Sequence, residues 1–394
     1  MLSIAVFTEC YRPMRNGVVV SVASFSRVMT ELGHHVIIFT ARHPEQDASD
    51  DAHEGVYRMP SVTLPTKAFK VQYPLAIPLA TGKARKFLKE QHFDIIHSHS
   101  PMFTGQLAKA YHDRRDIPMI FTYHTMIEDY THYVPLPQRW VRRRAIQLSR
   151  YYSNLADHII TPTECVAERL RRYHVTKPIT VIPTGIDIDQ MDLVPTIDLR
   201  ARYEIPDGVP LLVYAGRVAP EKNLPRILTA FRAVLRQEPD THLLIVGGGP
   251  DEDALHELAE ELQITHRTRW TGFVPREYLV QTLRNADIFV FSSLTETQGL
   301  VLGEAMACHI PVVAVDDDAP REMLDSGVEG LLVPDADDPF AEAVVTLIRD
   351  EPLRKAMGQR ARLRAETISA YRCTERLLNV YQQILTGNAQ CQVG

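Results

Sequence analysis

A short buried strand, a glycine turn and the start of a helix follow one another in residues 211–223, which read LLVYAGRVAPEKN. The run from Leu211 to Ala215 contains no charged side chain, which predicts a strand covered on both faces of a parallel sheet. Gly216 permits a tight turn after that strand, and the next helix is expected to begin near Asn223. Strand, turn and helix in this order form the building unit of α/β sheets.

The same alternation runs along the whole chain in two series. Strands of the first series are predicted at Ser3 to Phe7, His35 to Phe39, Asp94 to His97, Pro118 to Phe121, His158 to Ile160 and Ile179 to Ile182. Those of the second are predicted at Leu211 to Ala215, His242 to Val246, Thr268 to Trp270, Ile288 to Phe291, Pro311 to Val315 and Gly330 to Val333. The Pro- and Asp-rich stretch from Pro183 to Pro210 indicates an interdomain connection. Two doubly wound sheets are therefore predicted, with ligands at the carboxyl ends of their strands.

Composition narrows the class of protein. The 394 residues are 45% hydrophobic and 23% charged, which is typical of a globular chain of two domains. A net charge of −6 argues against a general nucleic-acid binder. Residues 1–190 nevertheless carry 23 basic and 18 acidic side chains, which indicates either an anionic partner for that half or uneven surface charge without a role. The five scattered cysteines fit a reducing cytosol, and any contact with a membrane is expected at its surface.

Two cations flank the turn in residues 211–223. Arg217 and Lys222 lie between the strand and the helix, so both charges and the helix N-terminus point to one place. This arrangement suits a diphosphate leaving group, whose negative charge grows in the transition state. The alternative is a solvated loop with two unrelated charges. Gly248, in the glycine run 247–249 after the next strand, would let a ligand approach the backbone, unless the run is only a flexible turn.

Two glutamates occur in residues 296–304, which read ETQGLVLGE and follow the strand Ile288 to Phe291. Their spacing lets one carboxylate address a sugar hydroxyl and the other a ribose diol, while N–H groups at the helix start near Gly299 face a phosphate. Glutamates eight residues apart are common by chance, so the context carries this interpretation. A metal-diphosphate site at the acidic triplet 316–318 is a weaker alternative, because Arg217 and Lys222 supply positive charge without a metal.

Three features of the first half are candidates for function. Gly17 opens a helix after the first strand, where it is either a tight-turn glycine or an approach for an anion. His124 follows the strand Pro118 to Phe121 and is either structural or a polar contact for substrate. Residues 139–150 read RWVRRRAIQLSR, and a helical projection separates an apolar arc from an arginine arc. Such a helix either lies on an anionic membrane or packs on the core with an arginine-rich outer face.

Together these segments resemble the retaining family-four glycosyltransferases of the GT-B fold. A narrower resemblance, in residues 123–133 (YHTMIEDYTHY) and 293–300 (SLTETQGL), is to bacterial 1,2-diacylglycerol 3-glucosyltransferases. The resemblance implies an α/β architecture in which two Rossmann-like doubly wound domains face a cleft. The acceptor-binding domain would span 1–185 and the nucleotide-sugar-binding domain 186–365. The final residues, 366–394, would form a helix that crosses back to the first domain.

The resemblance also implies roles for single residues. Gly17 would offer its backbone N–H to the diphosphate of UDP-glucose, which Arg217 and Lys222 would neutralise as it leaves. Glu296 would contact the donor hexose and His124 the transferred sugar near its 6-hydroxyl. Glu304 would hold the ribose hydroxyls. The remaining contacts to the nucleotide, sugar or phosphate would come from Gly248, Val274, Gly299 and Leu300. The reaction would retain configuration without a metal, a cofactor or a protein nucleophile.

The same resemblance gives the basic helix a role. Trp140, Arg142, Arg143 and Arg150 would dock the enzyme on anionic lipid headgroups, so that it acts on diacylglycerol as a cytoplasmic protein peripheral to the inner face of the membrane. Nucleic acid is not an expected partner. Alternatives are another acceptor, such as phosphatidylinositol, a glycolipid or a small soluble molecule, and a non-catalytic nucleotide-sugar binder. A nicotinamide oxidoreductase is disfavoured because the G-x-G-x-x-G fingerprint is missing.

Overall fold

The chain folds into two units. A computed structural model describes residues 1–45, 51, 55–66, 71–76, 82–133 and 136–387. The first unit contains Met1–Gly185 and the C-terminal helix, and the second contains Ile186–Ser369. Each unit has its own apolar core around its sheet. Within the residues described, no helix combines the length and the apolarity needed to cross a bilayer.

A parallel sheet forms the centre of the first unit. Its strands and the neighbouring hairpin are β1 (Ser3–Phe7), β2 (His35–Ala41), β3 (Val56–Met59), β4 (Ser61–Thr66), β5 (Val71–Ala76), β6 (Ile95–Ser98), β7 (Met119–Thr122), β8 (His158–Thr161) and β9 (Ile179–Val181). Seven of them pair in the order β3-β2-β1-β6-β7-β8-β9, while β4 and β5 form a separate antiparallel pair. The order reverses direction between β1 and β6, which is where a doubly wound sheet opens its ligand-binding crevice.

Helices cover this sheet. They are α1 (Gly17–Glu31), α2 (Gly82–Glu90), α3 (Phe103–Arg115), α4 (Gln138–Ser153) and α5 (Glu164–Arg172), with a 3-10 segment at Ile127–Tyr133. The strands are almost wholly apolar, as expected where helices bury both faces.

The second unit repeats the plan with six parallel strands. Its elements are α6 (Ile188–Leu193), β10 (Leu211–Ala215), α7 (Leu224–Gln237), β11 (His242–Val246), α8 (Glu252–Glu261), β12 (Thr268–Trp270), α9 (Arg276–Arg284), β13 (Ile288–Phe291), α10 (Leu300–Ala307), β14 (Val312–Val315), α11 (Asp318–Met323), β15 (Gly330–Val333), α12 (Asp337–Arg349) and α13 (Glu351–Thr367). The strand order is β12-β11-β10-β13-β14-β15. Its switch point lies between β10 and β13, so the loops after these two strands are neighbours.

The final helix, α14 (Ala370–Leu385), returns to the first unit and packs against α1. The Tyr371 hydroxyl donates to Glu31 Oε2 at 2.6 Å. Arg376 Nη2 donates to the carbonyl of Val181 at 2.6 Å. A chain that leaves the first unit after Gly185 and re-enters it at Ala370 makes that unit discontinuous in sequence.

The predicted α/β class is confirmed, and each predicted strand is present within two residues of its expected bounds. Two details differ. The supposed connection from Pro183 to Pro210 contains helix α6, and strands β3, β4 and β5 were not predicted. Strand β3 contains Arg58, and β4 and β5 contain Pro65 and Pro74, so none shows the apolar run that marks a central strand.

Candidate active site

Two glycine-containing turns lie side by side at the carboxyl edge of the second sheet. Gly216 N donates to Val246 O at 2.9 Å, and Val218 N donates to Gly248 O at 3.0 Å. A Cβ at Gly247, where φ is +129°, would lie 1.8 Å from the carbonyl oxygen of Gly216. Only glycine fits such an approach, so the glycine run predicted from sequence serves to bring the two turns together.

The two predicted cations are each paired with a carboxylate. Lys222 forms an ion pair with Glu296, and Arg217 forms one with Glu221. The first pair joins the loop after β10 to the loop after β13 across the switch point of the sheet. The structure therefore brings together two residues, 74 positions apart, that the sequence analysis assigned to the same ligand.

Serines after β13 hold the turn that carries Lys222. Ser292 Oγ donates to the carbonyls of Lys222 and Asn223, each at 2.9 Å, and Ser293 Oγ donates to Glu221 O at 3.3 Å. The Glu221 side chain is only 3% exposed, so it forms a buried partner for the Arg217 guanidinium. Glu221 was not predicted as a site residue, because a glutamate beside a lysine gives no sign of its burial.

Glu304 lies on α10, which begins after Gly299 in a left-handed conformation with φ +75°. The Glu304 side chain is 9% exposed, and its Oε1 lies 2.6 Å from Arg276 Nη1 at the start of α9. Leu300 N begins the helix, so backbone donors of its first turn lie near the loop that carries Glu296. Arg276 was not predicted, and it brings a third cation to the set of residues assigned to the donor.

An exposed aromatic ring lies beside Gly248. Phe273 is 64% exposed, and a Cβ at Gly248 would lie 3.0 Å from its Cε2 atom. Gly247 N donates to Gly272 O at 3.0 Å, which fixes the segment that carries Phe273 and Val274. Phe273, which was not predicted from the sequence, therefore lies beside Gly248 and directly precedes Val274, and both of these residues were assigned to the donor.

Gly17 is exposed at the start of α1 in the first unit. The Asn16 side chain caps that helix by accepting a hydrogen bond from Val19 N at 3.0 Å. The loop from β1 to this helix starts on one side of the switch point between β1 and β6. The described geometry thus places Gly17 at a helix N-terminus, where an anion would be favoured.

His124 lies two residues after β7 and joins two other histidines. Its Nε2 is 2.8 Å from His99 Nδ1, and the ring of His99 stacks on that of His97 with 4.1 Å between centroids. Burial lowers the pKa of His124 to about 4, which keeps the imidazole neutral at physiological pH. His99 and His97 were not singled out in the sequence, although they share one strand end.

The carboxylates in the segment 127–133 serve structural pairing. Arg169 Nη1 lies 2.8 Å from Asp129 Oδ2, and the Tyr173 hydroxyl donates to Glu128 Oε1. The Glu128 side chain is fully buried. These contacts attach the segment after His124 to helix α5 and its C-terminal end, so they hold the position of the loop.

Helix α4 combines a buried stripe with an exposed mixed face. Ala145, Ser149, Tyr152 and Ser153 are buried, while Trp140, Leu148 and Tyr151 of the predicted apolar arc are 52%, 38% and 57% exposed. The arginines Arg142, Arg143 and Arg150 are exposed, and Arg144 lies over the Trp140 ring at 5.4 Å. One stripe of the helix thus packs on the core and the rest faces outward, and the membrane role of the outer face stays a prediction.

No group of three or more His, Cys, Asp or Glu side chains suited to a metal ion occurs among the residues whose placement is described. In the acidic triplet 316–318, Asp316 Oδ1 accepts a hydrogen bond from Arg321 Nε at 2.6 Å.

Family models match both units. A model described as Glycosyltransferase Family 4 matches residues 15–190, and one described as Glycosyl transferases group 1 matches residues 196–364. The two matched ranges correspond closely to the two units of the structure.

Curated relatives cover most of the chain. An alpha-monoglucosyldiacylglycerol synthase of Streptococcus pneumoniae is 32% identical over 79% of this chain and 71% of its own length. A second protein of that name, from Acholeplasma laidlawii, is 28% identical over 84% of each chain. A D-inositol 3-phosphate glycosyltransferase of Corynebacterium jeikeium is 30% identical over 93% of this chain and 92% of its own.

Solved structures share the fold. Sucrose-phosphate synthase from Thermosynechococcus elongatus superposes with a TM-score of 0.79 at 21% identity, over 98% of this chain and 100% of the other. HepE of Anabaena, solved in complex with UDP and glucose, gives a TM-score of 0.75 at 16% identity, over 97% and 100% of the two chains.

Proposed function

Since this chain belongs to the group 1, family 4 glycosyltransferases and has their GT-B fold, we propose that it moves glucose from UDP-glucose to diacylglycerol with retention of configuration. The observation that carries the proposal is the set of paired charges at the switch point of the second sheet. Lys222, Arg217 and Arg276 each pair with a glutamate there. Cations held in place by carboxylates are ready to meet a diphosphate without reorganising.

The leaving group is UDP, whose β-phosphate gains charge as the bond to the sugar breaks. Lys222 and Arg217 would stabilise that charge from the positions in which Glu296 and Glu221 hold them. Gly17, in the first unit, would add a backbone N–H, and Gly299 and Leu300 would add those of the α10 start. Because cations and backbone donors supply the stabilisation, the proposed reaction uses no metal and no cofactor.

Glu296 would bind a hydroxyl of the donor hexose. Its ion pair with Lys222 fixes the position of the carboxylate, whose oxygens accept hydrogen bonds. A pair of carboxylates is also the signature of retaining glycosidases, in which one forms a covalent intermediate. We assign no such nucleophile here: the departing phosphate would take the proton of the acceptor hydroxyl on the same face of the sugar.

Glu304, Arg276, Gly248 and Val274 would bind the nucleoside. The Glu304 carboxylate, with Oε1 on Arg276, has a second oxygen to accept from the ribose hydroxyls. The exposed ring of Phe273 would stack on the uracil, since a base gains about 1–3 kcal/mol on an aromatic platform. His124 would meet the transferred sugar near its 6-hydroxyl.

A lipid acceptor is supported by the exposed face of α4. Trp140 and Tyr151 can enter the interfacial region of a bilayer, while Arg142, Arg143 and Arg150 meet anionic headgroups. The two similar proteins named alpha-monoglucosyldiacylglycerol synthase favour diacylglycerol. On this proposal the enzyme works at the inner face of the cell membrane, bound to its surface.

A soluble acceptor is the second candidate, because the Corynebacterium relative is named for D-inositol 3-phosphate and matches over a greater length. The test is UDP release from UDP-glucose by purified protein, with vesicles of anionic phospholipid alone, with vesicles that also contain diacylglycerol, and with inositol 3-phosphate. Release that requires diacylglycerol supports the proposal, and unchanged release in EDTA supports metal independence. Release that requires inositol 3-phosphate, or none that any lipid stimulates, overturns the acceptor assignment.

A further inference from the structure

A network of hydrogen bonds joins the turn that carries Lys222 to the loop after β15. Asn223 Nδ2 donates to Asp335 Oδ1 at 3.1 Å, and Arg226 Nε donates to the same oxygen at 2.6 Å. Arg226 Nη2 also donates to the carbonyl of Asp335 at 3.1 Å, and Arg226 forms an ion pair with Asp337 through Nη1. The network thus links two loops of the second unit that lie 112 positions apart in sequence.

Asn223 lies at the junction between a 3-10 turn and α7, in the left-handed conformation with φ +53° and ψ +38°. Its backbone N–H donates to Pro220 O at 3.1 Å, and its carbonyl accepts from Arg226 N at 3.1 Å, so it ends one helical segment and begins the next. Asparagine at a helix start commonly caps the helix by accepting from a backbone N–H. Within the described residues Asn223 makes no such cap, and its side chain donates to Asp335. The side chain therefore attaches the junction to another loop.

The conformation of this junction decides the direction in which the Lys222 side chain leaves the backbone. The two backbone dihedrals of Asn223 are the soft joints between Lys222 and α7, so a change in either would turn the lysine relative to the helix. The left-handed region is a minor state for most residues and is reached most readily by glycine and asparagine. The contact with Asp335 holds Asn223 in this state from the side of β15. Ser292 Oγ, which donates to the carbonyls of Lys222 and Asn223, holds the same turn from the side of β13.

Arg226 keeps Asp335 in place. Its guanidinium binds the side chain and the carbonyl of Asp335 and also the carboxylate of Asp337. Asp337 Oδ1 accepts in addition from Thr229 Oγ1 at 2.7 Å. Arg226 and Thr229 lie on the first two turns of α7, and Asp337 begins α12, so the network joins the two helices where both begin. Because hydrogen bonds between charged groups are the strong ones, the Asp335 carboxylate has a fixed position from which it accepts from the turn before α7.

We propose that Asp335 is a positioning residue, which fixes the conformation of Asn223 and thereby the direction of the Lys222 side chain. The inference rests on the proposed function, in which Lys222 stabilises the leaving diphosphate. Asp335 itself contacts no substrate and acts only through the lysine. The ion pair with Glu296 orients the ammonium end of Lys222, and the network orients the backbone from which that side chain leaves.

The test compares two substitutions of Asp335 with a control at the other end of the same two helices. Asp335→Ala removes the acceptor, whereas Asp335→Asn keeps an oxygen that can accept from Asn223 and Arg226. Glu238→Ala is the matched control, because Glu238 accepts from Arg349 Nε at 2.7 Å and so joins the far ends of α7 and α12 by an ion pair of the same kind. Thermal unfolding measures whether each variant keeps its fold.

Amide hydrogen exchange measures whether the network holds the turn. The amides of Lys222 and Asn223 donate to carbonyls of the same turn, at 2.9 and 3.1 Å, so their protection reports its conformation directly. We expect residues 219–223 to exchange about fivefold faster in Asp335→Ala than in wild type, since one hydrogen bond changes a local opening equilibrium by a factor of this size. Asp335→Asn and Glu238→Ala should exchange as wild type does. Equal exchange of this segment in Asp335→Ala and wild type overturns the proposal.

Kinetics measure whether the position of the turn matters to Lys222. In the UDP-release assay, Asp335→Ala should lower kcat by about fivefold with a smaller change in the Kd for UDP, and Asp335→Asn should restore most of the loss. In a Lys222→Ala background, Asp335→Ala should lower kcat no further, because the carboxylate acts only through the lysine. A merely structural role would lower kcat in both backgrounds, and that result overturns the proposal.

Failure of the proposed function gives a different pattern. If Lys222 has no part in the reaction, Lys222→Ala keeps the kcat of wild type, and the exchange of residues 219–223 alone decides whether Asp335 positions the turn. If Lys222→Ala lowers kcat and Asp335→Ala does not, the proposed function stands and the positioning role of Asp335 is wrong.

Discussion

Arg276 Nη1 lies 2.6 Å from Glu304 Oε1, and the pair joins the first turn of α9 to the middle of α10. The carboxylate is almost buried, whereas the guanidinium is 40% exposed. Arg276 therefore does two things at once: it orients the oxygen that would accept from ribose, and it presents the rest of its charge toward solvent. A guanidinium carries several N–H donors, which suits it to carboxylate and phosphate groups.

Replacing Arg276 by Met should weaken donor binding more than it slows the chemical step. The change leaves Glu304 unpaired and removes one cation, so we expect the KM for UDP-glucose and the Kd for UDP to rise by about tenfold. Titration calorimetry with UDP measures the effect without an acceptor. Arg349→Met is the control, since Arg349 forms an exposed pair with Glu238 on the same unit. Equal UDP affinity in Arg276→Met and wild type would remove Arg276 from the site.

Lys222→Ala should lower turnover at saturating UDP-glucose by at least about tenfold, because a charge that stabilises the leaving diphosphate is worth most in the transition state. The loss should appear in kcat and to a smaller degree in the Kd for UDP. Lys355→Ala removes an exposed lysine paired with Glu351 and should have no effect. Near-normal turnover in Lys222→Ala would contradict the assigned role.

The fold could be predicted because short apolar runs alternate with longer helical patterns along both halves of the chain. Leu211–Ala215 and Ile288–Phe291 are buried throughout, and their loops therefore meet at the switch point whatever the helices between them do. That geometry explains why Lys222 and Glu296, far apart in sequence, could be assigned to one ligand from sequence alone.

Partners of the predicted residues could not be found in this way. Glu221, Arg276 and His99 show their importance only through burial or through a neighbour from another element. An arginine at a helix start and a histidine after a strand are ordinary in sequence. Long-range pairing distinguishes them, and no local pattern encodes it.

Phe273 gives a prediction about nucleotide affinity. Phe273→Ala should raise the Kd for UDP by about tenfold, since loss of an aromatic platform costs about 1–3 kcal/mol per base, while Phe273→Tyr should bind as wild type does. Leu363→Ala is a matched control, because Leu363 is exposed to a similar extent on α13. If UDP and glucose 1-phosphate lose affinity equally in Phe273→Ala, the ring does not contact the base.

Mild acid should destabilise the first unit. The pKa of His124 lies at about 4 in the folded protein against an ordinary value of 6.5, and that of His97 lies at about 3. The folded state thus binds fewer protons than the unfolded chain between these values, so the unfolding free energy falls as the pH drops below 6.5. For each ring, every pH unit between its ordinary pKa and its pKa in the folded protein lowers the unfolding free energy by about 1.4 kcal/mol.

Amide hydrogen exchange between pH 7 and 5, corrected for the intrinsic pH dependence, measures this effect segment by segment. Protection of β6 and β7 should decrease more than that of β10 and β13, whose strands carry no histidine. The difference should shrink in His97→Gln. Equal loss of protection in both sheets would show that the buried histidines His97, His99 and His124 do not control the acid response.

Charge reversal on α4 should abolish binding to anionic vesicles. Arg142, Arg143 and Arg150 are exposed, and each basic residue near such a surface contributes about 1 kcal/mol, so three Arg→Glu substitutions should prevent co-sedimentation. The Kd for UDP should not change, since the donor residues other than Gly17 and His124 lie on the second unit. Three exposed arginines of that unit, Arg202, Arg236 and Arg349, changed to Glu give the same net charge as a control.

Fluorescence tests the orientation of α4 on the membrane. The chain has two tryptophans, so a Trp270→Phe background leaves Trp140 as the single emitter. Trp140 is 52% exposed, and its emission should shift to the blue when vesicles of anionic phospholipid are added. The shift should be lost in the triple Arg→Glu variant and kept in the control triple. Sedimentation without a shift of Trp140 would mean that another surface meets the membrane, and α4 would then be a helix that only packs on the core.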